Sequence, residues 1–309
     1  FHVPFCRRKC SYCNFYSAPA TPEQMAAYTE AVCRNLRHYT SNTVADTLYF
    51  GGGTPSLLAP EQLEQILACA AACFSIPPDA EITLEANPAT LTPENLCRLR
   101  AAGVNRLSLG VQSLSDAQLR RLGRMHTAQE ALDTVESAAG AGFRNISCDV
   151  MLALPKQTPA ELSETLEQMA QLPIQHISAY LLKIESGTPF ARQHAEQECP
   201  DEDTAADLYL QTVRTLEQAG FHQYEISNFA RTGYESRHNC KYWRCVPYLG
   251  IGPSAHSCWE GKRFFVPSDT ADFLAQPVQR AVLEDAQPCT QEERIMLGMR
   301  LTEGIPAHW

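Results

Sequence analysis

The chain has few of the features that define membrane and nucleic-acid-binding proteins. No apolar run approaches the length of about 18 residues that a membrane-spanning helix needs. Basic residues are outnumbered, with 25 Lys and Arg against 35 Asp and Glu, which gives a formal net charge of -10. With a pI near 5.4, such a chain is not expected to have nucleic acid as its main partner. The sequence therefore predicts a protein without a transmembrane segment and without a nucleic-acid partner.

A disulfide framework is also lacking. The thirteen cysteines are an odd number, and most of them fall inside predicted helices and strands. This distribution is typical of reduced thiols in the cytoplasm rather than of paired cysteines in a secreted protein. The chain starts without Met inside what should be its first strand, and 290–301 reads as a capped helix near the other end. We therefore expect trimmed ends, with 290–309 the start of a further small helical domain.

Strand and helix alternate regularly along most of the chain. After a first strand near Phe1 to Phe5, strands are predicted at 46–50, 81–86, 105–110, 145–150 and 175–184. Helices are predicted at 21–38, 60–73, 92–102, 115–140 and 158–170. Such alternation indicates an α/β fold with a parallel sheet and helical crossovers. Six units are too few to close an eight-stranded barrel.

Three cysteines, Cys6, Cys10 and Cys13, lie within eight residues near the start of the chain. Thiolates are soft ligands that suit iron–sulfur clusters, zinc and copper(I), and the basic residues at 7–9 favour the thiolate form. Zinc usually shows two ligand pairs, whereas no second CxxC pair follows here. A cubane cluster has four irons, so three thiolates would leave one iron free to bind a small molecule.

Polar residues also follow or end several predicted strands. The turn at 51–55 has three consecutive glycines, so backbone can approach a ligand closely, and the absence of a following Gly-Lys-Ser/Thr excludes a phosphate loop. Parallel barrels carry their chemistry at the C-terminal ends of the strands. Each residue taken alone could equally be a helix cap or a loop hydrogen bond. Together they are predicted to converge on one rim, and they are Glu85, Gln112, Arg124 and Asp149.

A second informative stretch is 237–243, which places His238 beside Tyr242 and Trp243. Neutral imidazole is a usual ligand of haem iron, and flat aromatic surfaces suit a flat macrocycle. A buried structural histidine with core aromatics is the simpler explanation from these residues alone.

The CxxxCxxC motif, with Tyr12 before its last cysteine, resembles the signature of the radical S-adenosylmethionine (SAM) enzymes. In that family the three cysteines hold a 4Fe–4S cluster whose open iron binds SAM, and reductive cleavage of SAM gives a 5′-deoxyadenosyl radical. The resemblance implies a partial (β/α)6 barrel, open on one side. It also implies that SAM is bound by Tyr12, Gly52, Gly53, Thr54, Glu85, Gln112, Arg124 and Asp149.

The HNxxYW motif at 238–243, with the segment 248–257 after it, resembles the haem-chaperone branch of this family, the HemW proteins. That resemblance implies a protein that binds haem and passes it to haem-requiring acceptor proteins, rather than an enzyme. It implies haem binding by His238, Asn239, Tyr242 and Trp243, with His238 as the haem-iron ligand. Because such an imidazole must be neutral, haem retention is expected to weaken as the pH falls through about 6.5.

Two alternatives stay open. The first is a radical SAM enzyme, either an oxygen-independent coproporphyrinogen III dehydrogenase of porphyrin biosynthesis or a radical methyltransferase. The true dehydrogenases carry a fourth cysteine two residues after the third, whereas Asn14 and Phe15 follow Cys13 here. The second is a further cluster held by Cys240, Cys245 and Cys258. We expect the barrel in 1–220 and the HNxxYW extension in 221–289, with a dimer as one option for the oligomeric state.

The cluster assignment makes a direct prediction. Replacing Cys6, Cys10 or Cys13 by Ala should remove the broad visible absorption of a thiolate-bound iron–sulfur centre, because each thiolate holds one iron. Absorption spectra and iron content of the reconstituted variants measure this. The matched control is Cys97→Ala, and retention of a full cluster in Cys10→Ala would refute the assignment.

Overall fold

A computed structural model of the protein describes residues 1–306. Six parallel strands form most of its main sheet, and strands that are consecutive in sequence are neighbours in space. They are β1 His2–Val3, β2 Thr47–Gly52, β3 Glu81–Ala86, β4 Arg106–Gln112, β5 Ile146–Leu152 and β6 His176–Leu181. The predicted α/β fold with six parallel strands is therefore confirmed.

Helices connect the strands, and several of them begin with the sequence Thr-Pro. Thr21, Thr92 and Thr158 each accept a hydrogen bond from a backbone N–H of the first turn, and Pro occupies the start of the helix. The predicted helix over 115–140 is two helices, because Gly123 ends the first in a left-handed conformation with φ 73°. The helices up to β6 are α1 Pro22–His38, α2 Pro60–Cys73, α3 Pro93–Ala101, α4 Asp116–Leu122, α5 Ala128–Gly140 and α6 Pro159–Gln171.

The parallel order ends after β6. Helices α7 Pro189–Arg192 and α8 Glu202–Gln218 lead to two short strands, β7 His222–Glu225 and β8 Asn228–Ala230. Strand β8 pairs antiparallel with β6 and β7 pairs antiparallel with β8, which makes an eight-stranded sheet. The sheet therefore continues past residue 220, the predicted end of the barrel.

The remaining chain packs around this sheet. Helix α9 Arg237–Trp243 carries the HNxxYW motif, and a three-stranded sheet follows it. The later elements are β9 His256–Trp259, β10 Lys262–Phe265, α10 Thr270–Ala275, β11 Val282–Asp285 and α11 Gln291–Gly298. Part of the predicted C-terminal segment 290–309 lies outside the described residues. Within 1–306 no helix combines the length and the apolarity that crossing a membrane requires.

Alternate residues of the parallel strands face the helices or the barrel interior. The outward residues belong to one apolar core shared with the helices, among them Leu48, Phe50, Leu84, Leu107, Val150 and Ile177. The inward residues are mostly polar, and include Thr83, Glu85, Arg106, Ser108, Asp149 and His176. A closed barrel of this kind is filled by bulky aliphatic side chains. The polar interior instead suits a polar ligand.

The glycine turn after β2 serves the packing of β1. Gly53 and Thr54 donate backbone hydrogen bonds to the carbonyls of Val3 and Phe5, at 2.8 and 2.7 Å. A Cβ at Gly53 would lie 2.5 Å from the Phe5 carbonyl oxygen. At Gly53 the close backbone approach predicted for a ligand is therefore made by the chain itself, at Val3 and Phe5.

Gly53→Ala should force β1 and the cysteine loop away from β2, because the clash is with backbone that cannot rotate aside. We expect a loss of about 2 to 3 kcal/mol of unfolding free energy together with reduced iron loading. The matched control is Gly140→Ala in α5, where a Cβ meets nothing within 4 Å, so stability should hold or rise slightly. Urea unfolding measures both, and equal stability of the two variants would contradict the packing role.

Candidate functional site

The loop at 6–18 carries the three cysteines at the C-terminal end of β1. Its ends are held together by a hydrogen bond from the Cys6 N–H to the Ala18 carbonyl at 3.0 Å. Within the loop the Cys13 N–H donates to the Cys10 carbonyl at 3.2 Å, and the Ser11 N–H donates to the last residue of α4 at 2.9 Å. The backbone of the loop is thus fixed against the barrel.

The three thiols are near one another and near two polar side chains. Cys6 Sγ lies 3.2 Å from Thr54 Oγ1, and Arg124 Nη1 donates to Cys10 Sγ at 3.4 Å. Burial raises the pKa of the Cys13 thiol, and the neighbouring Cys10 and Cys6 raise it further. Among residues 1–306, no three Cys, His, Asp or Glu side chains are close enough to hold a single ion. Because each thiolate of a cubane binds a different iron, this donor set fits an iron–sulfur cluster better than zinc.

Arg124 follows the left-handed Gly123 and turns back towards the cysteine loop. Its Nη2 donates to the Gly110 carbonyl, while its buried Nε has no partner among the described residues. A Cβ at Gly110 would lie 3.1 Å from Arg124 Nη2 and 3.2 Å from Gln112 Nε2, so both side chains cross the space that Gly110 leaves open. A guanidinium with a free donor beside the cysteine loop fits the carboxylate of SAM.

Two half-buried carboxylates face the barrel interior. Glu85 accepts a hydrogen bond from the Tyr49 hydroxyl at 2.7 Å, and Asp149 accepts one from the Ser108 hydroxyl at 3.3 Å. Burial raises the pKa of Glu85 to about 7 and that of Asp149 to about 6. Asp149 lies in the middle of β5 rather than at its end as predicted, so its carboxylate is inside the barrel instead of at the rim.

The other predicted SAM residues lie around the same end of the barrel. Tyr12 packs beside an apolar cluster that includes Leu122 and Phe190, and burial raises the pKa of its hydroxyl. Gly52 has φ 105°, and a Cβ there would meet the ring of His2 at 2.7 Å. The absence of a side chain at Gly52 therefore makes room for the His2 ring, which belongs to the protein itself.

Helix α9 lies at the opposite, N-terminal end of the barrel. Glu81, the first residue of β3, accepts hydrogen bonds from the backbone N–H groups of Arg237 and His238, both at 3.0 Å. A carboxylate at a helix N-terminus is favoured by the exposed N–H groups and the helix dipole. Thr47, the first residue of β2, lies 2.8 Å from His238 Nδ1 through its Oγ1. The HNxxYW helix therefore closes the barrel at the end away from the cysteines.

Both ring nitrogens of His238 are hydrogen bonded, since Nε2 lies 2.8 Å from the Tyr242 hydroxyl. The imidazole also stacks on the Tyr49 ring, with 4.9 Å between centroids. One nitrogen must give up its partner before it can bind iron. Burial lowers the pKa of His238 to about 3, so loss of haem through protonation of this imidazole is expected at a lower pH than the 6.5 predicted from an ordinary histidine.

Trp243 lies on a different face of α9 from His238. The Arg300 guanidinium stands 4.1 Å over its ring, and its buried indole N–H has no partner among residues 1–306. His238 and Tyr242 line a cavity of about 500 Å³, whereas Asn239 and Trp243 are not part of its lining. The structure therefore separates the four predicted haem residues into two pairs.

The cavity runs along the edge of β2, where β1 pairs only with Gly51 and Gly52. Its lining includes Tyr49, Glu85 and His238. Sequence analysis missed the role of Tyr49, although its alternation with the core residues of β2 marks it as facing inward.

The predicted second cluster does not bring its three cysteines together. Cys258 Sγ lies 3.7 Å from Cys289 Sγ, and Cys289 in turn contacts the Cys245 carbonyl at 3.9 Å. Cys240 is buried in α9. The cysteine that lies beside Cys258 and Cys245 is therefore Cys289, which the sequence analysis did not consider.

Comparison with known proteins places this geometry in a family. The Radical SAM superfamily model matches residues 1–169. The heme chaperone HemW of Lactococcus lactis is 35% identical over 99% of this chain and 82% of its own length. HemW of Escherichia coli is 39% identical over 82% of this chain and 68% of its own. The chain belongs to the HemW family of radical SAM proteins.

Two further relatives bear on the family's range. A mitochondrial radical S-adenosyl methionine domain-containing protein 1 of Bos taurus is 40% identical over 82% of this chain, which spans 59% of that relative. The structure of coproporphyrinogen III oxidase (HemN) from Escherichia coli aligns with a TM-score of 0.82 and 25% identity, over 96% of this chain and 72% of HemN. Membership of the radical SAM superfamily implies a 4Fe–4S cluster and SAM.

The raised pKa of Glu85 predicts how stability depends on pH in this HemW-family protein. Folding favours the protonated carboxyl, so its stabilising contribution is present below about pH 4.5 and is lost as the pH rises towards 7. Glu85→Gln cannot ionise, and should therefore be more stable than wild type at pH 8 by on the order of 3 kcal/mol but not at pH 4.5. Urea unfolding of the apoprotein across this range measures the difference. Exposed Glu136→Gln is the control, and a pH-independent effect of Glu85→Gln would contradict the prediction.

Proposed function

We propose that the protein is a 4Fe–4S and SAM-binding haem chaperone, which binds haem and delivers it to haem-requiring acceptor proteins. The observation that carries the proposal is that His238 and Tyr242 of the HNxxYW motif border the same cavity as Glu85 and Tyr49. Relatives named heme chaperone HemW, 34 to 39% identical to this chain, support it.

For the cofactors, we assign the cluster to Cys6, Cys10 and Cys13. Arg124 would hold the SAM carboxylate through its free Nε, and Gln112 lies beside it. Glu85 and Asp149, together with Thr54, offer acceptors and a hydroxyl for the ribose. When bound, the cluster and SAM supply reductive cleavage of SAM. The role of these protein residues would be to bind and orient the two groups.

For haem, we assign the cavity along the edge of β2, which His238 and Tyr242 border. His238 is neutral at physiological pH, which suits an iron ligand. The Tyr242 hydroxyl competes with iron for Nε2, and the Tyr49 ring supports the imidazole from one face. Haem and SAM would then occupy opposite ends of one barrel.

An enzyme is the second candidate, favoured by the TM-score of 0.82 with the HemN structure. The reaction would be coproporphyrinogen III decarboxylation. The coproporphyrinogen III dehydrogenases carry a fourth cysteine two residues after the third, whereas Asn14 and Phe15 follow Cys13 here. The missing cysteine weighs against this reaction. Product analysis with SAM, reductant and coproporphyrinogen decides, because multiple turnovers to protoporphyrinogen would overturn the chaperone proposal.

The remaining parts of the proposal concern context. We place the protein in the cytoplasm, where its thirteen free cysteines would stay reduced. We propose haem and haem-accepting proteins as its partners and no nucleic acid. We further propose residues 221–289 as the extension that adapts the barrel to haem, since α9 lies within it.

Haem titration followed by the Soret band tests this function. His238→Ala should shift the Soret band or lose stable binding, because the iron loses its axial ligand. Tyr242→Phe should keep the band and bind haem at least as tightly, since it frees Nε2. Wild-type binding should persist from pH 7 to pH 5, because burial keeps the imidazole neutral.

The matched control is Trp243→Phe on the far face of α9, which should leave both the band and the affinity unchanged. Restoring haem binding to His238→Ala with added imidazole would identify lost ligation rather than misfolding as the cause. An unchanged spectrum and affinity in His238→Ala would return His238 to a structural role.

A further inference from the structure

Two cysteine side chains in the last part of the described chain touch without being bonded. Cys258 on β9 and Cys289, just before α11, have their sulfurs 3.7 Å apart, and both are free thiols. A disulfide bond is about 2.05 Å long, so a movement of less than about 2 Å brings the two sulfurs to bonding distance. The pair is therefore close enough for reversible thiol chemistry.

Groups other than the two sulfurs hold this pair in place. Arg263, the register partner of Cys258 on β10, forms an ion pair of 2.6 Å with Glu293 of α11. Glu293 also accepts a hydrogen bond from the Cys289 N–H at 2.6 Å, and Arg294 donates to the Cys289 carbonyl at 2.9 Å. These bonds keep Cys289 in a left-handed conformation, with φ 64°, which few residues other than Gly adopt. The strand and the helix are therefore joined around the two thiols.

The two thiols differ in their access to solvent. Cys289 is half-buried, whereas Cys258 is 6% exposed. Burial, followed by the contact with Cys289, raises the pKa of Cys258 to about 11. Because thiolates with access to solvent attack disulfides, Cys289 is the thiol that reacts first with a reagent from solution. Cys258 is then the neighbour that can attack the modified sulfur.

Tyr248 links this pair to the cavity beside His238. The N–H of Tyr248 donates to the Cys258 carbonyl at 2.8 Å, and the N–H of Cys258 donates to the Tyr248 carbonyl at 2.9 Å. The Tyr248 ring packs edge-on against the Tyr242 ring, with 4.7 Å between centroids. Tyr242 in turn places its hydroxyl 2.8 Å from His238 Nε2. All three side chains border the cavity, so the freedom of Tyr248 affects how easily the Tyr242 hydroxyl leaves Nε2.

We propose that Cys258 and Cys289 form a thiol–disulfide exchange site that small-molecule disulfides oxidise, and that the new bond restrains Tyr248 against Tyr242 and weakens haem binding at His238. The second part rests on the haem-binding function, whereas the first part does not. Disulfides of cytoplasmic proteins are usually transient and redox-sensing, which agrees with a pair that is held together but not bonded.

The exchange proceeds in two balanced steps. The Cys289 thiolate attacks a disulfide such as oxidised glutathione, forms a mixed disulfide and releases one glutathione thiolate. Cys258 then gives up its proton and attacks the Cys289 sulfur, so the mixed disulfide breaks and a second glutathione thiolate leaves. Two protein thiols are oxidised and one glutathione disulfide is reduced. The two protons lost by the protein thiols are taken up by the two glutathione thiolates.

The exchange site is tested by incubating the reconstituted protein with oxidised glutathione without oxygen, alkylating the remaining thiols and mapping the peptides by mass spectrometry. Wild type should give a linked pair of peptides that contain Cys258 and Cys289, and dithiothreitol should separate them. Cys258→Ser should stop at glutathione bound to Cys289, because the second thiol is missing. Cys289→Ser should leave the buried Cys258 unmodified. The matched controls Cys245→Ser and Cys97→Ser should still form the link.

Haem titration of the reduced and the linked protein tests the restraint. The linked form should bind haem about 5-fold more weakly, and reduction should restore the affinity. In Tyr242→Phe the two forms should bind equally, because no hydroxyl has to leave Nε2. Treatment of Cys289→Ser with oxidised glutathione should not change its haem affinity. The linked apoprotein should unfold at a temperature about 5 °C higher than the reduced form, because the bond restricts the unfolded chain.

Wild-type protein that takes up glutathione at Cys289 without forming the link, links Cys289 to Cys245 or does not react at all would overturn the exchange site. A link that leaves the haem affinity unchanged would overturn the restraint, while the haem-chaperone function stands. If the link forms in a protein that does not bind haem in either state, the haem-chaperone function and the restraint both fail, and the exchange site stands.

Discussion

The contact between β1 and the glycine turn after β2 sets the position of the cysteine loop. The Phe5 carbonyl lies 2.5 Å from where a Cβ of Gly53 would be, so any side chain at that residue is incompatible with the observed pairing. The backbone hydrogen bonds from Gly53 to Val3 and from Thr54 to Phe5 fix the residue immediately before Cys6. The loop then meets α4 at its far side. The Gly53 turn and the segment just before Cys6 pack backbone against backbone, with no side chain between them. This close packing places the cysteine loop, and any cluster bound to it, over the C-terminal ends of the strands.

The interior of the barrel is polar from one end to the other, and its charges are arranged in order. Arg124 lies at the cysteine end, Glu85 and Asp149 follow, and Arg106 and the Glu81 carboxylate lie towards α9. Burial raises the pKa of Glu85 to about 7 and that of Asp149 to about 6, so Glu85 is only partly ionised at physiological pH while Asp149 stays mostly charged. Since Arg124 keeps its charge, the interior favours an anionic ligand group at the cysteine end.

The order of strands and helices was predictable because it depends on local periodicity and on caps such as Thr21 and Thr158. The placement of Asp149 was not, because a strand boundary moved by two residues decides whether a carboxylate lies at the rim or inside. The docking of α9 was hidden as well, since the link between Glu81 and His238 joins residues far apart in sequence. The sequence did show, however, that Glu81, Thr83 and Glu85 alternate with apolar residues along β3. This alternation is unusual for a buried parallel strand, whose residues are normally apolar on both faces.

This arrangement explains how one chain can combine a radical SAM cluster motif with a haem motif. The cysteine loop is fixed at the C-terminal end of the strands, and the HNxxYW helix is fixed at the N-terminal end by Glu81 and Thr47. A haem held by His238 would therefore be kept away from the open iron of the cluster, where SAM cleavage would occur. Tyr49 joins the two regions, because its hydroxyl binds Glu85 while its ring stacks on His238. Any change in the ionisation of Glu85 acts on the hydrogen bond that orients this ring, and through the ring on the imidazole. In the proposed arrangement the barrel would separate the two cofactors in space, while Tyr49 links Glu85 on the SAM side with His238 on the haem side.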